Sequence, residues 1–243
     1  SLVLDVKWGK GAFMTTEARA RELAEALVAV GRAMGKDMAA IITDMNQPLG
    51  RTAGNALEVQ ESIEALRGEG AEDLMEVTLA LCAQMLVLAG LSSDPDAATS
   101  ILRERLASGD ALRVFAEMVR LQGGNPDIIH DPGLLPRARI DRPYPAPRGG
   151  FLAAGDAEAI GRACIVLGAG RQKSDDEIDP AVGISGIRKV GDQVSAGAPL
   201  LTIHANDPQR LEDAEQRIRE AFVFSDEPVE PRPLITDTLS ATT

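Results

Sequence analysis

Residues 1–43, SLVLDVKWGKGAFMTTEARARELAEALVAVGRAMGKDMAAIIT, decide the fold. Leu2 to Val6 is a short apolar run that stops at Gly9 and Gly11, the pattern of a strand passing into a loop. From Thr16, a candidate N-cap, the apolar residues Leu23, Leu27, Val30 and Met34 recur at helical spacing, and Gly35 ends the pattern. Ala39 to Thr43 then reads as a second strand. Strand, helix and strand in about forty residues make a βαβ unit, which implies parallel strands joined by a right-handed crossover. The chain opens without Met, directly in a strand, whereas a buried strand of a parallel sheet normally has elements before it; the reading expects a truncated chain.

The loop after the second strand sits at a carboxyl edge, where open α/β sheets hold their ligands. The segment there is Asp44-Met-Asn-Gln-Pro-Leu-Gly50, leading to Gly54-Asn55, and Asn55 with Glu58 is a candidate cap for the next helix. Leu57, Ile63 and Leu66 mark that helix, and Leu74, Val77, Leu81, Met85 and Leu88 mark a longer one ending near Gly90. Ile101, Leu102 and Leu106, then Leu112, Phe115 and Val119, suggest two more before Gly123-Gly124-Asn125-Pro126 breaks the pattern.

Residues 126–149 carry Pro126, Pro132, Pro136, Pro143, Pro145 and Pro147, a density that regular helix and central strands do not tolerate. This is the best boundary. Beyond it the pattern gives a strand near Phe151, a helix from Asp156 to Leu167, a loop from Gly168 to Asp179, strands near 182–190 and 200–205, and a helix from Pro208 to Phe222. The expected organisation is therefore an α/β part over 1–125, a Pro-rich connection over 126–149, an α+β module over 150–224 and an extended tail over 225–243. The tail is Pro- and Glu-rich with little apolar periodicity, so it is expected to be extended or disordered.

Composition narrows the function classes. With 44% hydrophobic residues over 243 positions the chain can bury a substantial core. A net charge of -12 without a dense Lys/Arg cluster argues against a nucleic-acid partner. No apolar run approaches the ~20 residues of a membrane span, and no basic segment precedes an apolar one at the start. Cys82 and Cys164 sit in apolar runs without the spacing of a disulfide framework or zinc site, which points to a reducing, cytoplasmic setting.

Five stretches are candidates for chemistry. Asp5 to Met14 joins a strand to a glycine-rich turn that could bring N–H groups to an anion, but it lacks the Walker pattern; Phe13 reads equally as pocket wall or core. Asp44 to Glu61 is more informative, because a loop offering carbonyl oxygens before a helical carboxylate is what a hard cation needs; Leu49, Thr52 and Glu61 fit. From spacing alone, however, Glu61 reads as a solvated helix-face carboxylate. His130 and His204 are far apart in sequence, and neither has a Ser or Cys nucleophile in a recognisable elbow nearby. Gly168-Ala-Gly-Arg171 with Asp175, Asp176, Glu177 and Asp179 reads as a solvated acidic loop, and Lys189 to Leu200 resembles the glycine turns of biotinyl and lipoyl carriers without a lysine at a hairpin tip.

Read together, DVKWGKGAFM, ITDMNQPLGRTAGNALEV, LGAGRQKSDDEIDPAVGI and VGDQVSAGAPLLTIHA resemble, in order, the motifs of the thymidine and pyrimidine-nucleoside phosphorylase family. The resemblance runs from the first residues to about Phe222 and implies an α/β fold with a partial parallel sheet flanked by helices, followed by a small hammerhead-like α+β carboxy-terminal module. It implies phosphorolysis of a pyrimidine nucleoside or deoxynucleoside to the free base and a pentose 1-phosphate, with inversion through an oxocarbenium-like transition state. It also implies a cytoplasmic homodimer and no organic cofactor, with phosphate as co-substrate. Residue by residue, the resemblance puts Phe13 beside the base. It gives Leu49, Thr52 and Glu61 to a monovalent-cation site for potassium, with Thr52 in place of a smaller residue. Lys10 and Trp8 also depart from the family's usual residues, and Lys7 is structural. The family's Lys-His-Ser-x-Gly-Gly-type phosphate loop and its Ser-Lys-Lys helix are absent from this sequence, so most catalytic groups are missing and the chain alone is expected to be inactive. The alternatives are a carrier-like or interaction module, or a relative of the phosphoribosyltransferases.

Overall fold

The computed structural model describes residues 1–171 and 173–241 and divides into two compact units. The first holds Ser1–Met45, Ala65–Arg113 and the segment from Arg232 on; the second holds Asn46–Glu64 and Val114–Pro231.

In the first unit, strands β1 (Leu2–Trp8) and β2 (Met38–Asp44) pair in parallel, with Val6 opposite Ile42, and helix α1 (Glu17–Ala33) crosses between them. Met38 to Thr43 are all buried, as expected for a strand covered on both faces. The Thr16 side chain accepts from the Arg19 N–H and so caps α1. The helix turns a different face to the sheet from the one its leucines suggest. Ala20, Ala24, Val28 and Gly31 are buried, against Val6, Met38, Ala40 and Ile42 for the first three, while Leu23, Leu27, Val30 and Met34 are exposed. Small side chains let the helix axis come close to the strands, and at Gly31 an added Cβ would fall 1.5 Å from the Met38 sulfur. Helix α3 (Glu72–Leu88) also packs on β1 and β2, and α4 (Pro95–Ala107) packs on α3.

The residues read as an extended or disordered tail include a strand that completes this sheet. The chain returns as β9 (Ile235–Ala241), antiparallel to β2 on the edge that β1 leaves open. Thr236 donates its hydroxyl to the Ile42 carbonyl, and Arg21 of α1 is ion-paired with Asp237. The run Ile235-Thr-Asp-Thr-Leu239 alternates weakly and is short, which is why its strand character is hard to read locally.

The second unit is built on two antiparallel three-stranded sheets, ordered β3-β7-β5 and β6-β4-β8. Their strands are β3 (Ile140–Pro145), β4 (Gly150–Gly155), β5 (Gly183–Ser185), β6 (Gln193–Val194), β7 (Pro199–Ala205) and β8 (Phe222–Ser225). Pro143 and Pro145 lie in β3, an edge strand where a missing N–H costs no ladder bond. Helices α6 (Ala157–Leu167), capped by Asp156, and α7 (Pro208–Ile218), capped by Asp207, pack on each other over a core that includes Leu152, Ile160, Leu201, Ile203 and Ile218. Gly168 ends α6 in the left-handed conformation. Of the acidic loop read between Gly168 and Asp179, Gln172 lies outside the described residues. Helix α2 (Asn55–Leu66) starts in this unit, and α5 (Asp110–Leu121) leads into it.

Candidate functional site

The strongest constellation in the second unit is the turn from Pro48 to Gly54 and the first half of α2. Helix α2 buries Ala56, Glu61 and Ile63, and Glu61 is only 8% exposed, against the solvated-carboxylate reading from spacing. Burial of a carboxylate is sustained only where hydrogen bonds replace water. Here the Arg51 N–H donates to Oε1 at 2.6 Å and the Thr52 hydroxyl donates to Oε2 at 2.7 Å. Gly50, at φ 71°, permits this approach: a Cβ there would lie 2.5 Å from Oε2. Glu58 holds the start of the helix, its carboxylate accepting from the Gly54 N–H at 3.0 Å.

Lys189 serves the same turn from the other side. Its Nζ donates to the Gly50 carbonyl at 2.8 Å and to the Pro48 carbonyl. Gln47 accepts from the Val190 N–H at 3.0 Å, so the stretch read as a carrier-like glycine turn braces the candidate loop. The turn is also stitched to β5: Ala53 and Ile184 exchange both backbone hydrogen bonds, at 2.8 and 2.7 Å. Gly54 and Gly183 lie so close that a Cβ on Gly183 would stand 2.3 Å from the Ala53 oxygen. Cys164 donates its thiol to that oxygen at 3.4 Å, and burial, with Glu58 nearby, pushes its pKa up to about 12.

Thr52 and Glu61 are thus brought together, and Leu49 lies in the same turn. Among the described residues, neither the Leu49 nor the Thr52 carbonyl accepts a hydrogen bond, and each Glu61 oxygen accepts one with capacity to spare. Carbonyl and carboxylate oxygens are the donor types that a hard cation takes.

Phe13 belongs to the first unit. It projects fully from the Gly9–Met14 turn, at 101% exposure, and packs into no core. The turn is fastened by the Gly9 N–H donating to the Met14 carbonyl at 2.9 Å and the Gly11 N–H donating to the Met45 carbonyl at 3.0 Å. Lys7 pairs with Asp5 at 2.8 Å and donates to Thr43 at 3.2 Å, which makes it a strand-to-strand tie in this unit.

Residues 151–225 match the pyrimidine nucleoside phosphorylase C-terminal domain, and residues 1–112 match the a/b domain of a glycosyl transferase family. A pyrimidine-nucleoside phosphorylase of Bacillus subtilis (strain 168) is 48% identical over 206 residues, 85% of this chain and 48% of that protein. One of Staphylococcus aureus (strain USA300) is 43% identical over 231 residues, 95% of this chain and 53% of that protein. The chain belongs to the pyrimidine-nucleoside phosphorylase family. It spans about half the length of the curated relatives it matches.

Within this family member, Lys189, Gly50 and the Arg51 N–H are the site groups that sequence reading missed. Lys189 acts 139 positions from Gly50, and no local pattern announces such a pairing. Thr52 was legible only as a carbonyl donor, yet its hydroxyl also ties the turn to Glu61.

Proposed function

We propose that this chain is part of a pyrimidine-nucleoside phosphorylase. The enzyme cleaves a pyrimidine nucleoside or deoxynucleoside with inorganic phosphate to the free base and ribose or deoxyribose 1-phosphate. The observation that carries this reading is the likeness, over 85% to 95% of the chain, to proteins named for that activity. The reading gives Phe13 to one border of the base. It gives the carbonyls of Leu49 and Thr52 and the carboxylate of Glu61 to a monovalent cation, potassium being the expected ion. That ion would neutralise a buried carboxylate and fix the Pro48–Gly54 turn against α2. The turn's tight bracing by Lys189 and β5 supports a role in which its position matters.

Phosphorolysis needs a cationic, N–H-rich cradle for phosphate and donors for charge developing on the departing base. This sequence holds neither the Lys-His-Ser-x-Gly-Gly-type loop nor the Ser-Lys-Lys helix, so the chain by itself does not turn over. The active species is a cytoplasmic homodimer of the whole protein, acting on nucleosides rather than nucleic acid and away from membranes. The test is release of thymine or uracil from thymidine or uridine with phosphate, measured for this chain and for the protein encoded by the whole gene. Activity only in the latter is expected. Turnover by this chain alone would overturn the placement of the catalytic groups, and no turnover by either would overturn the activity itself.

A further inference from the structure

On the outer face of the β3-β7-β5 sheet, three side chains are hydrogen-bonded in series. In the central strand β7, His204 stands opposite Asp141 of β3 and opposite Gly183 of β5. Side chains alternate along a strand, so His204, Asp141 and Ser185, two positions beyond Gly183, share one face, while Ile184 and Ile203 fill the core on the other. Ser185 Oγ lies 2.7 Å from His204 Nε2, and Asp141 Oδ1 lies 2.7 Å from His204 Nδ1.

The chemistry of the three groups fixes the proton positions. With the carboxylate ionised and the imidazole neutral, Nδ1 donates to Asp141 and Nε2 accepts from the Ser185 hydroxyl. Hydroxyl, imidazole and carboxylate in this order are the parts of an activated serine nucleophile, recognised by geometry and not by sequence order. The three come from separate strands, which is why His204 shows no nucleophile nearby in the sequence. The His204 side chain is only 17% exposed and both its ring nitrogens are engaged, while the Asp141 side chain is 67% exposed, so the relay lies at the surface. Gly186 follows Ser185 in the left-handed conformation, with nothing within 4 Å of where its Cβ would be, which leaves open space beside the serine.

We infer that Ser185, His204 and Asp141 form a nucleophilic serine site that takes small acyl groups from activated esters. The Ser185 oxygen bonds to the acyl carbon as its proton passes to Nε2. The ester C–O bond breaks, and the leaving alkoxide or phenolate takes up that proton. Water, deprotonated by Nε2, then attacks the acyl-serine and releases the carboxylic acid, returning the hydroxyl. Asp141 is a positioning residue that holds the imidazole in the required tautomer.

The test uses the whole chain with two probes, p-nitrophenyl acetate and an alkyl fluorophosphonate, with the adduct located by peptide mass spectrometry. The fluorophosphonate should form a P–O bond to Ser185 with loss of fluoride, and the acetate ester should leave a transient acetyl group on the same residue. Ser185→Ala, with an unchanged thermal midpoint, should abolish both adducts, and Ser185→Cys should restore acetylation. Asp141→Asn and His204→Gln should slow labelling by about a hundredfold or more, the usual contribution of a positioned base. Absence of a Ser185 adduct, or an Asp141→Asn chain that labels at the wild-type rate, would overturn the inference. If His204→Gln fails to fold, Asp141→Asn and Ser185→Ala still decide it.

Discussion

Lys189 holds the carbonyl oxygen of Gly50 at 2.8 Å from its Nζ and also engages the Pro48 carbonyl, so one ammonium group fixes a turn that is 139 positions away in sequence. Replacing it by Met keeps the stem's packing and removes the donor. The Pro48 and Gly50 carbonyls, on buried residues, then lose this donor, and the change should cost about 1–3 kcal/mol of stability. Urea unfolding with an unchanged m-value checks it; a loss below about 0.5 kcal/mol would mean water replaces the ammonium freely.

Gly183 and Gly186 make an internal comparison. Both have positive φ, 155° and 64°, but a Cβ on Gly183 would meet the Ala53 oxygen at 2.3 Å, whereas Gly186 faces open space. Gly186→Ala should cost only the backbone term, about 1 kcal/mol, and Gly183→Ala roughly 3 kcal/mol or more, because backbone must move. Equal thermal shifts for the two variants would contradict the tight Ala53–Ile184 junction.

The Cys164 thiol should resist alkylation by iodoacetamide at pH 8 in the folded chain and react once the chain is unfolded. Its pKa, raised from 9.0 to about 12, also carries a sign for stability. The folded state keeps the proton more tightly than the unfolded state. The contribution is therefore complete below pH 9 and is lost as pH rises towards 12, at about 1 kcal/mol per pH unit. The difference in stability between wild type and Cys164→Ala, followed from pH 8 to pH 11, isolates that slope; parallel curves would show that the thiol does not contribute.

Trp8 Nε1 is a buried side-chain donor with no partner among the described residues. Trp8→Phe removes an unsatisfied N–H along with some packing, and the two terms oppose each other. The net loss should stay under about 1 kcal/mol, below the usual cost of trimming a large buried side chain. A larger loss would mean that the indole N–H has a partner in solution.

If Leu49, Thr52 and Glu61 hold potassium, the ion binds the folded chain alone and stabilises it, by about 2.7 kcal/mol at a hundred times its Kd. The thermal midpoint in potassium chloride should then exceed that in tetramethylammonium chloride at equal ionic strength, and Glu61→Gln should erase the difference. Identical midpoints for the wild-type chain would remove the cation from this site.

The βαβ unit was legible because its signals are local: β1 and β2 are short, largely apolar runs, and Thr16 caps the helix between them. The face of α1 was misread because leucine and methionine dominate a periodicity count, whereas close contact with a sheet selects Ala20, Ala24 and Gly31. At the candidate cation site the types and spacing of Leu49, Thr52 and Glu61 could be read. Burial of Glu61, the Lys189 brace and the Ser185–His204–Asp141 relay could not, since each depends on partners brought together by the fold.

The pairing of β9 with β2 gives synthesis an order of events. Thr236 and Ile42 are 194 positions apart, so β2 leaves the ribosome long before the strand that covers its free edge exists. In the interval the nascent chain carries a buried-type apolar strand with one side open, a template for pairing with neighbouring chains. Loss of the last ten or so residues would make that interval permanent and favour aggregation through the uncovered edge.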